Sequence, residues 1–223
     1  MAAIPIDEPR PRETPLTWSS FEPRCFGVEM LPIPVDPEPR SFVDVLRSRH
    51  SVVGNPVDRG RIAELLWHAT GTKGHAPAGR AGMPVEWRAA PSAGGLHPIS
   101  IVCIPETIIN DSVLLYDPRE HAYMNLDVDQ NTIVATNTAD VAAVVNNPHG
   151  YTLRLIADIE KTGAAYENPI TLVFRDVGCL IGTLCLCAEW LGLTACPLGF
   201  LGQSMVTALG FPEPRFHAVG GVQ

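Results

Sequence analysis

Apolar residues from Ser41 onward recur at helical spacing. Phe42, Val45 and Leu46 follow a hydroxyl suited to capping, which predicts a short helix ending near Arg49-His50-Ser51. A second helix is expected after Asp58, with Ile62, Leu65, Leu66 and Ala69 on one face and Gly71 as its stop. Residues 72–86 read as a glycine-rich loop. The β-branched run at 99–104, between Pro98 and Pro105, predicts a buried strand. Residues 113–116 and 122–126 flank Asp117-Pro-Arg-Glu and predict an antiparallel hairpin. A helix at 139–145, a strand at 151–157 and a short helix at 158–165 are expected next. Residues 176–191 are apolar nearly all round, with Gly178, Gly182 and Ala188 permitting close approach of neighbours. That pattern predicts a central helix buried on every side, for which a domain of this size needs a second subunit. A short helix at 203–209 and a strand at 216–219 complete the series. Strands and helices mix without strict alternation, so the expected class is α+β.

The first forty residues carry nine prolines, which deny the segment helical hydrogen bonds and favour extended backbone. Residues 1–40 are therefore expected to form an arm and residues 41–223 the folded domain. Trp18, Phe21, Phe26, Met30, Leu31 and Ile33 favour an arm packed on a body, its own or a partner's. A flexible tail is the alternative, and both readings stay open.

Composition narrows the function. The 223 residues are 46% hydrophobic and 18% charged, as in a folded chain with a substantial core. With net charge −8, a pI near 5.3 and no run of Lys or Arg, the surface that neutralises nucleic-acid phosphates is missing. Six cysteines without a C-x-x-C pair, several in apolar stretches, fit a reducing cytoplasm. The opening residues lack a signal-peptide pattern, and Gly192, Pro197 and Gly199 interrupt the longest apolar stretch, so neither a leader nor a membrane span is expected.

Three clusters carry candidate chemistry. Arg49-His50-Ser51 offers a guanidinium fork, an imidazole and a hydroxyl to a phosphate or polar chain; a solvated helix end is the plain alternative. Pro91-Ser-Ala-Gly-Gly-Leu-His-Pro98 places small residues, Gly94 and Gly95 among them, where backbone N–H groups meet a flat or anionic ligand, or simply form a tight turn. Cys196-Pro-Leu-Gly-Phe200 follows the long apolar helix and presents backbone donors at its end. Cys179, Cys185, Cys187 and Cys196 lack metal-site spacing, and no serine sits in a nucleophile elbow, so no metal is expected and hydrolysis has no support.

In order and spacing these clusters resemble the FMN-dependent nitroreductase family, with the nearest likeness to its SagB-type dehydrogenase branch, which includes azoline dehydrogenases of peptide natural-product pathways. The likeness spans roughly residues 41–222. It is carried by Arg49-His50-Ser51, the 62–67 helix, Arg88 to Pro98, the Leu115-Tyr-Asp-Pro118 hairpin and Ala188 to Phe200. The resemblance implies an α+β fold with a mainly antiparallel central sheet flanked by helices, an intimate homodimer, and FMN at its interface. It further implies that Arg49, His50 and Ser51 hold the phosphate and ribityl chain, that Pro91, Ser92, Ala93, Gly94 and Gly95 line the isoalloxazine, and that Pro197, Leu198 and Gly199 approach its reactive edge. Hydride then moves through flavin N5. The implied substrate is a small molecule or peptide. The alternatives are an NAD(P)H-dependent nitro or quinone reductase and a non-catalytic flavin-binding partner protein.

The chain departs from the family at three points. Azole-forming members place a Lys-Tyr pair where this chain has Ala165-Tyr166, so Tyr166 remains as the implied proton-handling residue while Lys161 is out of register. Val53 stands where a second basic residue is usual, and the C-terminal 218–223 segment lacks the usual Lys or Arg. Arg47, Arg88 and Arg215 are the candidate replacements.

Overall fold

The structure is a computed structural model that describes residues 7–54, 56–79 and 82–223. Its strands are β1 (Arg10–Pro11), β2 (Cys25–Met30), β3 (Gly74–Ala76), β4 (Val85–Trp87), β5 (Ile99–Ile104), β6 (Leu114–Asp117), β7 (Ala122–Leu126), β8 (Thr152–Asp158), β9 (Tyr166–Glu167), β10 (Pro197–Leu198) and β11 (Phe216–Val222). Its helices are α1 (Phe42–Ser48), α2 (Arg59–Thr70), α3 (Gln130–Ala142), α4 (Ile159–Ala165) and α5 (Ile170–Trp190). Seven strands form one sheet in the order β10-β11-β8-β5-β6-β7-β2, every neighbouring pair antiparallel.

Strand alternation divides the core into two layers. Ile99, Ile101 and Cys103 of β5 and Leu153, Leu155 and Ala157 of β8 pack with α2 and α5. Val102, Ile104 and Ile156 point the other way, toward Ile133 of α3 and the Met205–Phe211 segment. Because β5 and β8 are covered on both faces, their sequences are mainly apolar. Arg154 is a charge between them and α3: it is buried, bonded to Asn137 (2.8 Å) and Asp140 (3.2 Å), with its guanidinium 4.5 Å from the Phe200 ring centroid.

Of the two readings of the proline-rich segment, the packed one is observed: Cys25–Met30 pairs with β7 and is an edge strand of the main sheet. Upstream, β1 pairs with β9, and Phe21 stacks near Phe211 and Phe216. The 72–86 loop holds a small hairpin, β3 against β4. The helix expected at 139–145 runs over Gln130–Ala142 instead, started by Asp129, whose carboxylate accepts from the Thr132 N–H (3.2 Å). Residues 203–209 form a single 3₁₀ turn, Gln203–Met205, followed by turns. The last strand is longer than expected and reaches Val222.

The long apolar helix starts at Ile170, and it is not buried all round. One face packs against α2 and β11 through Val173, Val177, Leu184 and Ala188. The opposite face is open along Ile170, Phe174, Gly178 and Gly182, a stripe at i, i+4 spacing, and nothing lies within 4 Å of a Cβ built on either glycine. By length and hydropathy α5 is also apolar enough to cross a membrane, yet it carries Arg175, Asp176 and Glu189 and supplies one wall of the core.

Candidate functional site

The Arg49 and Cys196 clusters lie side by side. Ser51 forms a parallel bridge with Ala195, and the Val52 N–H donates to the Ala195 carbonyl (3.3 Å). The end of α1 is tied to the end of α5, where Ser48 Oγ donates to Glu189 (2.6 Å) and Arg40 also pairs with Glu189 (3.1 Å). His50 Nδ1 sits 2.7 Å from the Ser48 carbonyl. Arg49 is half-buried and forms no ion pair among the described residues. Its charge is thus left for an external anion.

The 197–199 segment is held from behind. Pro197 and Leu198 pair with Val222 and Gly221, and Cys196 and Gln223 exchange N–H···O bonds of 2.8 and 2.9 Å. The Leu198 side chain is buried, whereas Pro197 and Gly199 are exposed and the space above Gly199 is empty to 4 Å. A flat ligand laid over Gly199 would meet backbone rather than a side chain.

The Pro91 cluster is anchored elsewhere. Ser92 Oγ donates to Asp176 (2.5 Å), the Ala93 N–H donates to the same carboxylate (3.0 Å), and Ser92 Oγ accepts from the His97 N–H (2.9 Å). Burial raises the Asp176 carboxyl above the usual range, against the pull of those donors. Gly94 has φ +61° and Gly95 φ +69°, so both occupy the left-handed region that the turn requires. A Cβ at Gly94 would lie 2.9 Å from Tyr166 Oη, which brings the candidate Tyr166 to the exposed rim of this loop. Ala165 is fully buried, and Lys161, one helical turn earlier, lines a cavity of about 180 Å³ with Ser92 and His97.

The two anchors, Asp176 and Glu189, are thirteen residues apart on α5, about 20 Å at 1.5 Å per residue. One chain therefore presents the Arg49 and Pro197 clusters at one end of α5 and the Pro91 loop at the other. Of the candidate replacement cations, Arg88 is bonded to Glu86 (2.6 Å) and Arg215 to Asp158 (2.6 Å), so neither is free for a phosphate beside Arg49. Arg47 is exposed on α1. Asp176, the acid that shapes the loop, escapes sequence reasoning. Its one signal is a carboxylate inside a mainly apolar helix.

The family model described as the nitroreductase family matches residues 47–220. The chain belongs to the nitroreductase family. A search of curated proteins gave no match. Among solved structures, a nitroreductase-like protein of Ralstonia eutropha JMP134 superposes with TM-score 0.64 at 18% identity, over 94% of this chain and 95% of that one. The Escherichia coli microcin synthetase McbBCD complex with truncated pro-MccB17 gives TM-score 0.56 at 16% identity, over 95% and 73%. A nitroreductase-like protein of Desulfovibrio desulfuricans in complex with FMN gives 0.51 at 15%, over 82% and 84%. At these identities the nitroreductase likeness is one of fold.

Proposed function

We propose that two copies of this chain associate through the open face of α5 and bind FMN in two equivalent clefts. In this reading the protein is an FMN oxidoreductase that reduces small organic acceptors, such as nitro compounds or quinones, with NAD(P)H as donor. The observation that carries the reading is the pairing of an uncommitted Arg49 and Ser51 with the open Pro197–Gly199 backbone. No nucleophile–base pair accompanies them among the described residues, so the chemistry calls for a cofactor. The Desulfovibrio neighbour, an FMN complex, supports the choice of group.

FMN, when bound, supplies two-electron hydride chemistry at its N5. The chain's own residues bind and orient it. Arg49 meets the phosphate charge, His50 and Ser51 bond the ribityl chain, and the Pro197–Gly199 backbone faces the ring edge. The 20 Å separation along α5 explains the need for a second copy, whose Pro91–Gly95 loop covers the ring that this copy's Arg49 end holds. The family's usual second basic contact is replaced by Val53, and residues 218–223 hold no Lys or Arg, so in this reading phosphate binding rests chiefly on Arg49.

A second reading, a SagB-type dehydrogenase acting on peptide azolines, is favoured by one observation. Tyr166 Oη borders Gly94, and Lys161 shares a helix face with buried Ala165, where azole-forming members have lysine. The likeness to McbBCD supports it. The deciding experiment is the absorption spectrum of freshly purified protein, followed by anaerobic NADH and NADPH. Flavin bands that bleach with a nicotinamide donor support the reductase. Bands that bleach only with an azoline peptide support the dehydrogenase. A colourless preparation that gains no flavin absorbance with FMN overturns both and leaves a non-catalytic partner protein.

A further inference from the structure

The cavity behind the Pro91–Gly95 loop lies within one chain, between the sheet and α5, away from the Arg49 end. Its volume is about 180 Å³, the share of roughly six waters. Ala90, Ile99, Ile101 and Leu180 give it apolar walls, and Lys161, Arg88 and Ser100 stand among them.

The carboxylates around it are already engaged by other groups. Glu86 accepts from Thr72 (2.7 Å), Arg88 (2.6 Å) and Arg119 (3.0 Å), so two guanidinium groups already occupy both its oxygens. Asp158 accepts from Trp18 Nε1 (2.9 Å), the Lys161 N–H (3.1 Å) and Arg215 (2.6 and 3.1 Å). Glu160 is exposed and leans toward Arg215 (3.8 Å). Both oxygens of Asp176 are engaged by Ser92 and Ala93. His97 stands 3.0 Å through Nε2 from the Glu86 carbonyl and is kept neutral by burial and by Arg88. The Lys161 ammonium is thus left without an ion pair among the described residues. The Trp18 ring covers it at 5.0 Å. A largely enclosed cation beside a cavity of mixed polar and apolar walls lacks one thing, a counter-anion whose body meets the apolar part.

We infer that this cavity is a binding site for a small organic carboxylate, its acid group against Lys161 and its apolar part against Ile99, Ile101 and Leu180. Pro91 and Ser92 stand both in its wall and in the loop that the flavin reading sets over the ring, but every wall belongs to one chain and none to the Arg49 cluster. Burial and the nearby Arg88 charge press the Lys161 ammonium down to about 8, so its positive charge, and with it the attraction for an anion, fades as pH rises through that value.

The test is isothermal titration of the purified protein with benzoate and with neutral benzamide. Expected are one benzoate per chain, benzamide at least about tenfold weaker, and benzoate at least about tenfold weaker in Lys161→Met but largely retained in Lys161→Arg. Benzoate affinity in the unaltered protein should also fall from about pH 7 to about pH 9.5, which keeps the test valid if a variant fails to fold. Equal affinity in the unaltered protein and Lys161→Met, no binding, or a flat pH profile overturns the assignment. So does benzoate displacement by excess FMN, since that outcome puts the probe in the flavin cleft.

Discussion

Arg49 is the side chain on which FMN retention should depend most. Its loss removes a charge-assisted contact of about 1.5–3 kcal/mol, so Arg49→Ala should weaken FMN binding by roughly ten- to a hundredfold in a fluorescence titration. Unchanged affinity removes Arg49 from the site. Two other side chains set the acid response. Burial tends to raise the Glu86 carboxyl, but the Arg88 charge, the bonds from Thr72 and Arg88, and Arg119 win and hold it at about 2, against an ordinary 4.5. Its contribution is present above 4.5 and is lost as pH falls toward 2. His97 is held at about 4 against 6.5, by burial first and Arg88 second, so the stability it brings is present above 6.5 and is lost on falling through 4. His97 has φ +47°, which asparagine tolerates, so His97→Asn should flatten urea stability between pH 6.5 and 4, apart from the share of His68 and His121, whose pKa values burial also lowers. A profile that keeps its full slope there shows that His97 is not the controlling group.

Among the elements, α5 combines a core wall, a loop anchor and an open apolar stripe. A charged, bulky residue on that stripe is incompatible with close helix contact, so Gly182→Arg should yield monomers in sedimentation, with FMN lost alongside. A stable dimer that keeps its flavin would place the interface elsewhere. The elements best read from sequence are those whose boundary residues act locally. The Asp58 carboxylate does accept from the Arg61 N–H (3.0 Å), and α2 does stop at Gly71. The 113–126 hairpin and the β5 run likewise follow from alternation and their bounding turns. By contrast, seven of the thirteen residues of α3 are Asn, Thr or Val, which have weak helix preference, and it forms because Ile133 packs on the sheet, Val141 is buried and Asn137 bonds Thr152 (2.8 Å). β2 is hidden by flanking prolines, since only pairing with β7 defines it. The three clusters were readable as motifs. Their distribution along α5 was not, because the Ser92 to Asp176 bond joins residues far apart in the chain.

Taken as a whole, the molecule uses its first described residues as a strap. Arg12 bonds the Gly163 carbonyl (2.9 Å), Trp18 bonds Asp158, and Arg215 clamps the Ser19 carbonyl (2.7 Å). Deleting residues before Cys25 should therefore lower thermal stability by several degrees through loss of the Trp18 and Arg215 bonds, each worth about 1–3 kcal/mol, while FMN binding at the Arg49 end persists. A truncated chain with unchanged melting temperature would mean that the strap only rests on the surface.

The 20 Å between the Asp176 and Glu189 anchors has a consequence for mixtures of variants. If each cleft draws its cationic end from one copy and its glycine loop from the other, Arg49→Ala and Gly94→Val chains are defective alone but complement each other when combined. Random reassortment makes half the pairs hybrid, each hybrid with one intact cleft and one doubly damaged, so pooling two colourless preparations should restore about a quarter of the yellow colour.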